Sequence, residues 1–494
     1  MDVSLCFDTE DYTTPPEWGM DDIPKWLSEI MTEEGVTGTF LVIGHKARSM
    51  RNRKRKDVLA AMRQHEIGLH TTFGSDHPTL SEALAPLDWQ EAVKLADERE
   101  TPGFVELSEI FETNIGTGST HGASQAAPMH YICGTKWDRP WLYSFVPCPP
   151  ENFCWYANCF QLGFKGIGIS EAAYSQPAKV DETLASWEKE IEKLVAAGTK
   201  WAFVFLAHPL MIRCKQFNDA LNYADGKNRW PWKTPEMRTL EEMEIAKQQF
   251  RRVVQWIAKH PKLRVRTLYD TFRAFGKRKA KIRRQELSAY IERSVRHQTI
   301  LTGYTFSPAE ALYAVCEGLL ADRLAPAFNV VSPLGPLTES MRMADNERAW
   351  VNAGELKALA AGVLEFVKAT GHLPSALPVP NSAGRMGLPT LFHVLTEAWQ
   401  QRDQGRKDVV VRVPHICNRY PKDADAIEAT ARKRWLNWPI HDIHMPLENL
   451  SRHARLMSWT WKTVYDGDDA PQAGESTITA AVKTPKKASK RTRK

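Results

Sequence analysis

The first sixteen residues, MDVSLCFDTEDYTTPP (1–16), contain the pattern that decides the fold. Apolar and smaller side chains alternate from Val3 to Phe7, which is the two-residue period of a β-strand. Three carboxylates, Asp8, Glu10 and Asp11, therefore stand at the carboxyl end of a strand, where α/β folds build their sites. A solvated turn or an acidic helix N-terminus is the alternative reading.

The composition indicates a globular protein of two or three domains, because 494 residues with 43% hydrophobic side chains can bury a large core. No stretch approaches the roughly 18 to 20 apolar residues of a membrane span, and no secretory leader precedes the first strand. The eight cysteines form no C-x-x-C pair. We therefore expect a cytoplasmic protein with reduced cysteines and no membrane partner.

The net charge of +6 comes from the end of the chain, where residues 483–494 hold seven Lys or Arg and no acid. The remaining chain is nearly neutral, so a nucleic-acid partner is not expected except through this tail. Residues 471–494 have the composition of a disordered basic tail. The oligomeric state stays open.

Strand-like and helix-like segments alternate over residues 1–275, which predicts an α/β fold with a mostly parallel sheet or barrel. Residues 276–290 are highly charged and are predicted to be a connector. Residues 291–470 are predicted to form a smaller, mainly helical domain. A weak repeat with an offset of 45 residues, relating the predicted helices 308–322 and 354–370, indicates a helical repeat.

Asp8 and Glu10 lie two residues apart and face the same side of the strand, where their charges repel. A divalent cation would relieve the repulsion, and metals of the zinc type also prefer imidazole ligands. Histidines follow two other predicted strands: His70 and His77 in HEIGLHTTFGSDHPTL (65–80), and His208 in WAFVFLAHPLMI (201–212). Taken singly, a histidine in such a place is more often a hydrogen-bonded structural residue, so their joint placement after strands is the stronger signal.

Four motifs in this order resemble the polysaccharide deacetylases, the NodB-like carbohydrate esterases, over residues 3–273. They are SLCFDTEDY, GVTGTFLVIGHKAR, the run from HEIGLHT to HPTLSEAL, and FVFLAHPLM followed by FNDALNY. The resemblance implies a distorted (β/α) barrel and a metal-dependent hydrolase that removes an acyl group, usually N-acetyl, from an amino sugar or a related small amide. The alternative is a catalytically silent barrel that binds a saccharide or a partner.

The resemblance also implies roles for individual residues. Asp8 matches the catalytic base, Glu10 the acidic ligand of a divalent metal such as zinc, and His70 the first metal histidine. His208 matches the histidine that protonates the leaving amine.

The chain departs from the family pattern at two places. Gly74 stands four residues after His70, where the family has its second metal histidine. The next candidate is His77, which can reach a shared metal only if residues 71–76 form a loop. The family's arginine motif has no counterpart in THGASQAAPM (120–129), so Arg139 is taken as its possible substitute. Asp11, which follows Glu10 directly, is taken as a further possible site residue.

An aromatic-rich segment, residues 134–160, is predicted to line a sugar subsite through Trp137, Trp141, Tyr143 and Trp155. Core filling is the alternative, since tryptophan is usually buried. The C-terminal part faintly resembles pseudomurein-binding-type repeats, which would fit a cell-wall ligand.

Overall fold

A computed structural model describes residues 1–122, 124–340, 350–382, 384–414 and 419–465. The predicted basic tail, 471–494, lies outside the described residues. Among the described helices, none is both long enough and apolar enough to cross a membrane.

Ten strands form one sheet in which every pairing is parallel except that of β6 with β7. The order is β6-β7-β5-β4-β3-β2-β1-β9-β8, and β10 pairs with the start of β1. The strands are β1 (Asp2–Thr9), β2 (Gly38–Val42), β3 (Glu66–Leu69), β4 (Thr117–Ser119), β5 (Trp141–Leu142), β6 (Phe153–Tyr156), β7 (Cys159–Leu162), β8 (Gly166–Gly168), β9 (Trp201–Ala207) and β10 (Arg264–Val265).

Helices connect these strands and cover the sheet, as parallel strands require. They are α1 (Asp22–Glu33), α2 (Gly44–Asn52), α3 (Lys56–Met62), α4 (Leu80–Leu84), α5 (Trp89–Phe111), α6 (Ala127–Thr135), α7 (Pro177–Ala196), α8 (Pro209–Arg213), α9 (Asn218–Asn222), α10 (Leu240–Lys259) and α11 (Leu268–Phe275). Short 3-10 helices occupy Pro16–Trp18, Glu171–Ser175, Ala224–Gly226 and Ser458–Thr460. The predicted α/β fold with a mainly parallel sheet is confirmed.

The predicted barrel does not close within the described residues, because β6 and β8 end the path of paired strands without pairing with each other. The outer edge of β6 instead bridges to Lys462, near the end of the described chain, through Trp155. The sheet is therefore an open one, capped at this edge by the C-terminal segment.

The second part of the chain is mainly helical with short antiparallel ribbons, β11–β12, β13–β16 and β14–β15. Its strands are β11 (Lys281–Arg283), β12 (Ala327–Asn329), β13 (Trp350–Asn352), β14 (Ala376–Pro378), β15 (Arg385–Gly387) and β16 (Val410–Arg412). Its helices are α12 (Arg284–His297), α13 (Pro308–Leu320), α14 (Ala353–Thr370), α15 (Leu388–Asp403), α16 (Ala424–Asn437) and α17 (Glu448–Met457). The helices of the predicted repeat, α13 and α14, pack against each other.

Two buried cores group the described helices into two sets. The predicted connector, 276–290, contains β11 and the first half of α12. Buried apolar residues of α12 to α15 form a core of their own, whereas α16 and α17 contribute Trp435, Leu450 and Met457 to the core of the α/β part. α16 and α17 therefore pack with the α/β part, although they follow α12 to α15 in sequence.

Candidate metal centre

The carboxyl ends of neighbouring strands bring together Glu10, His70 and His121. Glu10 follows β1, His70 follows β3, and His121 comes two residues after β4, the neighbour of β3 in the sheet. Oε1 of Glu10 lies 3.2 Å from Nε2 of His70 and 3.3 Å from Nε2 of His121. The three side chains are buried and each offers an atom within 4.8 Å of the others.

A hydrogen bond holds the His70 ring in place. Ser119, the last residue of β4, donates its hydroxyl proton to the carbonyl of Leu69 at 3.2 Å and lies 2.7 Å from Nδ1 of His70. The hydroxyl oxygen then accepts from the Nδ1–H group, which leaves a lone pair on Nε2 facing Glu10. A lone pair facing a carboxylate is stabilised by a cation between them.

The donor set fits a divalent metal of the zinc type. Oε2 of Glu10 is buried and has no partner with hydrogen-bond geometry in the described chain, and Nε2 of His121 faces two carboxylate oxygens, those of Glu10 and Asp219, each at 3.3 Å. Such buried polar atoms are costly unless a ligand satisfies them. The spacings of 3.2 and 3.3 Å from Glu10 are close to the about 3.4 Å between neighbouring ligands of a tetrahedral zinc with bonds of ~2.1 Å. Glu10, His70 and His121 would hold it.

Asp219, on the short helix α9, lies at the side of this group. Its Oδ2 is 3.3 Å from Nε2 of His121 and accepts from the hydroxyl of Ser75. Ser75 belongs to residues 71–76, which form a loop with left-handed conformations at Thr71 and Gly74. Gly74 has a φ of +60°, and a Cβ there would lie 2.8 Å from the end of the Ile43 side chain, so a histidine at this position would be strained.

The electrostatics match a cluster of acids and imidazoles. Burial alone would raise the pKa of Glu10, but the charge and hydrogen bond of His121 outweigh it and hold the pKa well below its usual value. Burial lowers the pKa of His121, whereas Glu10 and Asp219 more than compensate and raise it to about 10. Negative charge from two carboxylates therefore surrounds the imidazole of His121.

Asp8 and His208 form a second pair beside this group. Nε2 of His208 lies 3.9 Å from Oδ2 of Asp8, and Nδ1 of His208 lies 2.8 Å from Oε1 of Glu171. Because an ionised carboxylate only accepts, Glu171 keeps a proton on Nδ1. Tyr143 donates from its hydroxyl to Asp8 at 3.3 Å.

The two members of this pair have shifted pKa values. Burial raises the pKa of Asp8, although His70 and His208 oppose the rise. Burial lowers the pKa of His208, but the hydrogen bond to Glu171 and the charge of Glu10 outweigh it and raise the pKa to about 9. A carboxylate with a raised pKa beside a protonated imidazole suits a proton acceptor paired with a proton donor.

The structure does not bring His77 next to Glu10 and His70. Its Nδ1 lies 2.7 Å from Oε2 of Glu82 and its Nε2 lies 2.7 Å from the carbonyl oxygen of Tyr223. Both partners are acceptors, so both ring nitrogens carry protons and neither has a lone pair for a metal. The histidine that the structure places beside Glu10 and His70 is His121, and not His77 as the sequence predicted.

Asp11 and Arg139 also lie away from the reactive groups. Oδ1 of Asp11 accepts from the backbone N–H groups of Thr13 and Thr14, as in an Asx turn, and so shapes the loop after β1. Arg139 donates to the carbonyl of Ile115, which precedes β4. It therefore lies at the amino-terminal edge of the sheet, opposite the site.

Of the four aromatic residues predicted to line a sugar subsite, only Tyr143 reaches the site. Trp137 stacks on Phe104 with ring centroids 3.6 Å apart, and Trp141 and Trp155 are buried with their indole N–H groups bonded within the protein. These three tryptophans therefore fill the core of the protein, which was the alternative to a sugar subsite.

Sequence reasoning missed His121, Asp219 and Glu171. β4 is only three residues long and lacks an apolar run, so no strand marked the position before His121. Asp219 lies within FNDALNY, which carried the resemblance but suggested no role for this residue. Glu171 is in a 3-10 helix that follows β8. His121 and Glu171 both follow a short strand, β4 and β8, so a polar residue after a short strand is the signal for these two.

The chain was compared with known proteins. No protein-family model matches it, and no curated protein matches it. Solved structures match with low identity: a protein of Mycobacterium smegmatis provisionally assigned as a polysaccharide deacetylase is 15% identical, with a TM-score of 0.33, over 55% of this chain and 88% of that one. A family 4 acetyl xylan esterase of Clostridium thermocellum is 13% identical, with a TM-score of 0.28, over 56% and 92%.

A third match is a 4-alpha-glucanotransferase of Thermococcus litoralis, 10% identical with a TM-score of 0.36, over 60% of this chain and 46% of that one. All three TM-scores lie below 0.5, so the function of this chain has to be inferred from its own residues. The comparisons give no support to pseudomurein-binding-type repeats.

Proposed function

We propose that the protein is a metal-dependent hydrolase that removes an acyl group, N-acetyl in the first instance, from an amino sugar. The observation that carries this proposal is the convergence of Glu10, His70 and His121 next to the Asp8–His208 pair. Two imidazoles and one carboxylate form the ligand set of a hydrolytic zinc site that leaves room for water and substrate.

A bound divalent metal would supply a Lewis acid that polarises the acyl carbonyl and lowers the pKa of water. Asp8 accepts the proton of the attacking water, and Tyr143 orients its carboxylate through the bond to Oδ1. His208 donates its Nε2 proton to the nitrogen that leaves as the C–N bond breaks. Glu171 keeps His208 protonated and in position. The products are a carboxylic acid and a free amine, so one water is consumed.

The experiment is metal analysis combined with product detection. Purified protein dialysed against zinc should retain one equivalent and should release acetate from oligomers of N-acetylglucosamine. Protein that binds one zinc without releasing acetate would contradict the hydrolase and leave a metal-binding protein. Protein that binds no zinc would contradict the site.

A second candidate is a catalytically silent domain that binds a saccharide or a partner. Two observations favour it: Glu10, His70 and His121 are each at most 5% exposed, and in the described chain no arginine forms an ion pair with Asp8. Such a protein would bind the oligomer with the same affinity before and after Asp8→Asn, and would release no acetate.

A further inference from the structure

A C-terminal residue, Trp438, forms a wall next to the candidate site. It follows α16, and a Cβ added to Gly122, the neighbour of His121, would lie 2.4 Å from its indole ring. On the other side its ring lies 6.1 Å from that of Phe217, which lies 5.1 Å from His208. Trp438 therefore reaches from the metal-ligand side of the site to the proton-donor side.

Arg434, one turn earlier on α16, connects to the same site. Its Nη1 donates to the carbonyl of Tyr143 at 3.0 Å, and its guanidinium stacks 3.4 Å above the centroid of Phe164. The ring of Phe164 lies 5.2 Å from that of Tyr143, whose hydroxyl reaches Asp8. A groove of about 380 Å³ lies between these residues and is lined in part by Gly122, Phe164, Lys433, Arg434 and Trp438. This volume is within the range of ligand sites, about 300 to 1,000 Å³.

The groove has two positive charges and no negative one. No acidic residue lines it, and within the described chain neither Lys433 nor Arg434 forms an ion pair. Burial lowers the pKa of Arg434 to about 9. By contrast, Arg432 on the same helix donates to Ser451 and lies 3.9 Å from Glu428. A partly buried cation without an anion is costly, and an anionic ligand would remove this cost.

We propose that this groove binds an anionic substituent, a carboxylate or a phosphate, of the acylated sugar whose acyl group lies between Asp8 and His208. The inference rests on the proposed function for the identity of the sugar, but the anion site itself does not. The planar fork of a guanidinium pairs with two oxygens of either anion, and Lys433 adds a second charge at the mouth of the groove. Arg434 and Lys433 are thus specificity-determining residues.

Arg434 could instead act only on Tyr143. Tyr143 has a positive φ of 65°, which is unfavourable for a residue with a side chain, and the bond from Arg434 to its carbonyl stabilises this conformation. A purely positioning role predicts equal losses with neutral and anionic substrates. Lys433 does not contact Tyr143 in the described structure. If the groove is an anion site, substituting Lys433 should therefore weaken the binding of anionic substrates and leave the binding of neutral ones unchanged.

The test measures binding to the zinc-loaded, full-length Asp8→Asn protein. The three probes differ only at C6: N-acetylglucosamine, its C6 carboxylate and its C6 phosphate. We expect at least one anionic probe to bind about tenfold or more tightly than the neutral one. Comparing the carboxylate with the phosphate identifies the preferred anion. Lys433→Gln and Arg434→Gln should each reduce this preference several-fold, whereas the matched control Arg432→Gln should retain it.

The proposal is overturned if neither anionic probe binds more tightly than the neutral one, or if no probe binds at all. It is also overturned if Arg432→Gln loses as much of the preference for anionic probes as Lys433→Gln does. A third contrary result is that Arg434→Gln weakens the binding of all three probes equally while Lys433→Gln weakens the binding of none. Acetate release by the unmodified protein separates the two proposals. Acetate release without a preference for anionic probes refutes the anion site and leaves the proposed hydrolase standing. Anion-selective binding without acetate release refutes the hydrolase and leaves the anion site standing.

Discussion

The rings of His70 and His121 lie 5.2 Å apart, centroid to centroid, and are nearly perpendicular at 77°. They follow β3 and β4, which are parallel neighbours in the sheet, and both approach the same oxygen of Glu10. The pairing of two strands, and not the spacing of two residues on one helix, therefore supplies both nitrogen donors.

Replacing His121 and His77 one at a time should show which of the two is a metal ligand. His121→Ala should lose bound zinc, because one nitrogen donor disappears, and His77→Ala should retain it, because the two ring nitrogens of His77 bond to Glu82 and to the carbonyl of Tyr223. Zinc per folded molecule, measured after dialysis, checks both variants. Equal zinc loss in the two would assign His77 to the site after all.

Asp8→Asn should abolish hydrolysis and leave the zinc content nearly unchanged, because a general base takes a proton without being a ligand. The expected loss of turnover is roughly 10² to 10⁴-fold. Asp11→Asn is the matched control: it weakens the turn at Thr13 and Thr14 and should lower the melting temperature, with turnover per folded molecule retained. Zinc loss in Asp8→Asn would show that Asp8 is itself a ligand.

Glu171→Gln should shift the alkaline limit of activity. The pKa of His208 is raised to about 9, so the proton donor is present below that pH and is lost above it. Without the anion at Glu171 the pKa of His208 falls, and the limb should move to lower pH by about one unit or more. Glu188→Gln, which removes the carboxylate beside the distant His260, should leave the profile in place. If the alkaline limit of the pH–activity profile is the same in Glu171→Gln, His208 is not the proton donor.

Trp435→Ala should destabilise the α/β part by about 3 to 5 kcal/mol, the usual cost of a large cavity. Trp435 is buried in the core of that part and donates to the carbonyl of Gln125. The next residue, Leu436, is 62% exposed, so Leu436→Ala should change the free energy of unfolding little. Denaturant titration of both variants checks this. Equal stability would mean that α16 is dispensable, as the predicted boundary at 276–290 implies.

Acid should destabilise the protein between about pH 6.5 and pH 4. Burial lowers the pKa of His130 to about 3, and that of His393 and His453 to about 4. Below the unfolded pKa of ~6.5, the unfolded chain therefore binds more protons than the folded protein. As the pH falls through this range, the free energy of unfolding decreases by ~1.4 kcal/mol per pH unit for each histidine.

Replacing His130 tests this pH dependence, because neither of its ring nitrogens has a hydrogen-bond partner in the described chain. His130→Phe should reduce the slope of unfolding free energy against pH by about 1.4 kcal/mol per unit. The exposed His297→Phe is the control and should leave the slope unchanged. An identical slope in His130→Phe would mean that this ring is protonated in the folded protein.

Much of the sheet could be predicted from the sequence, because long strands and helices carry a periodic apolar pattern. The run WAFVFLA became β9, and the predicted helices 308–322 and 354–370 became α13 and α14. The short strands β4 and β5 have two or three residues each and too little pattern to detect. That is why His121 was missed and His77, a histidine close to His70 in sequence, was preferred.

The sequence by itself determined the mainly parallel α/β fold and the carboxylates that follow β1, because both depend on the local alternation of apolar and polar residues. Only the tertiary structure decided which histidine meets Glu10 and which chain segment covers the site. His121 and Arg434 reach the site through strand pairing and through the packing of α16. Such contacts join residues far apart in the chain, and they depend on the complementary shape of two surfaces, which no local pattern records.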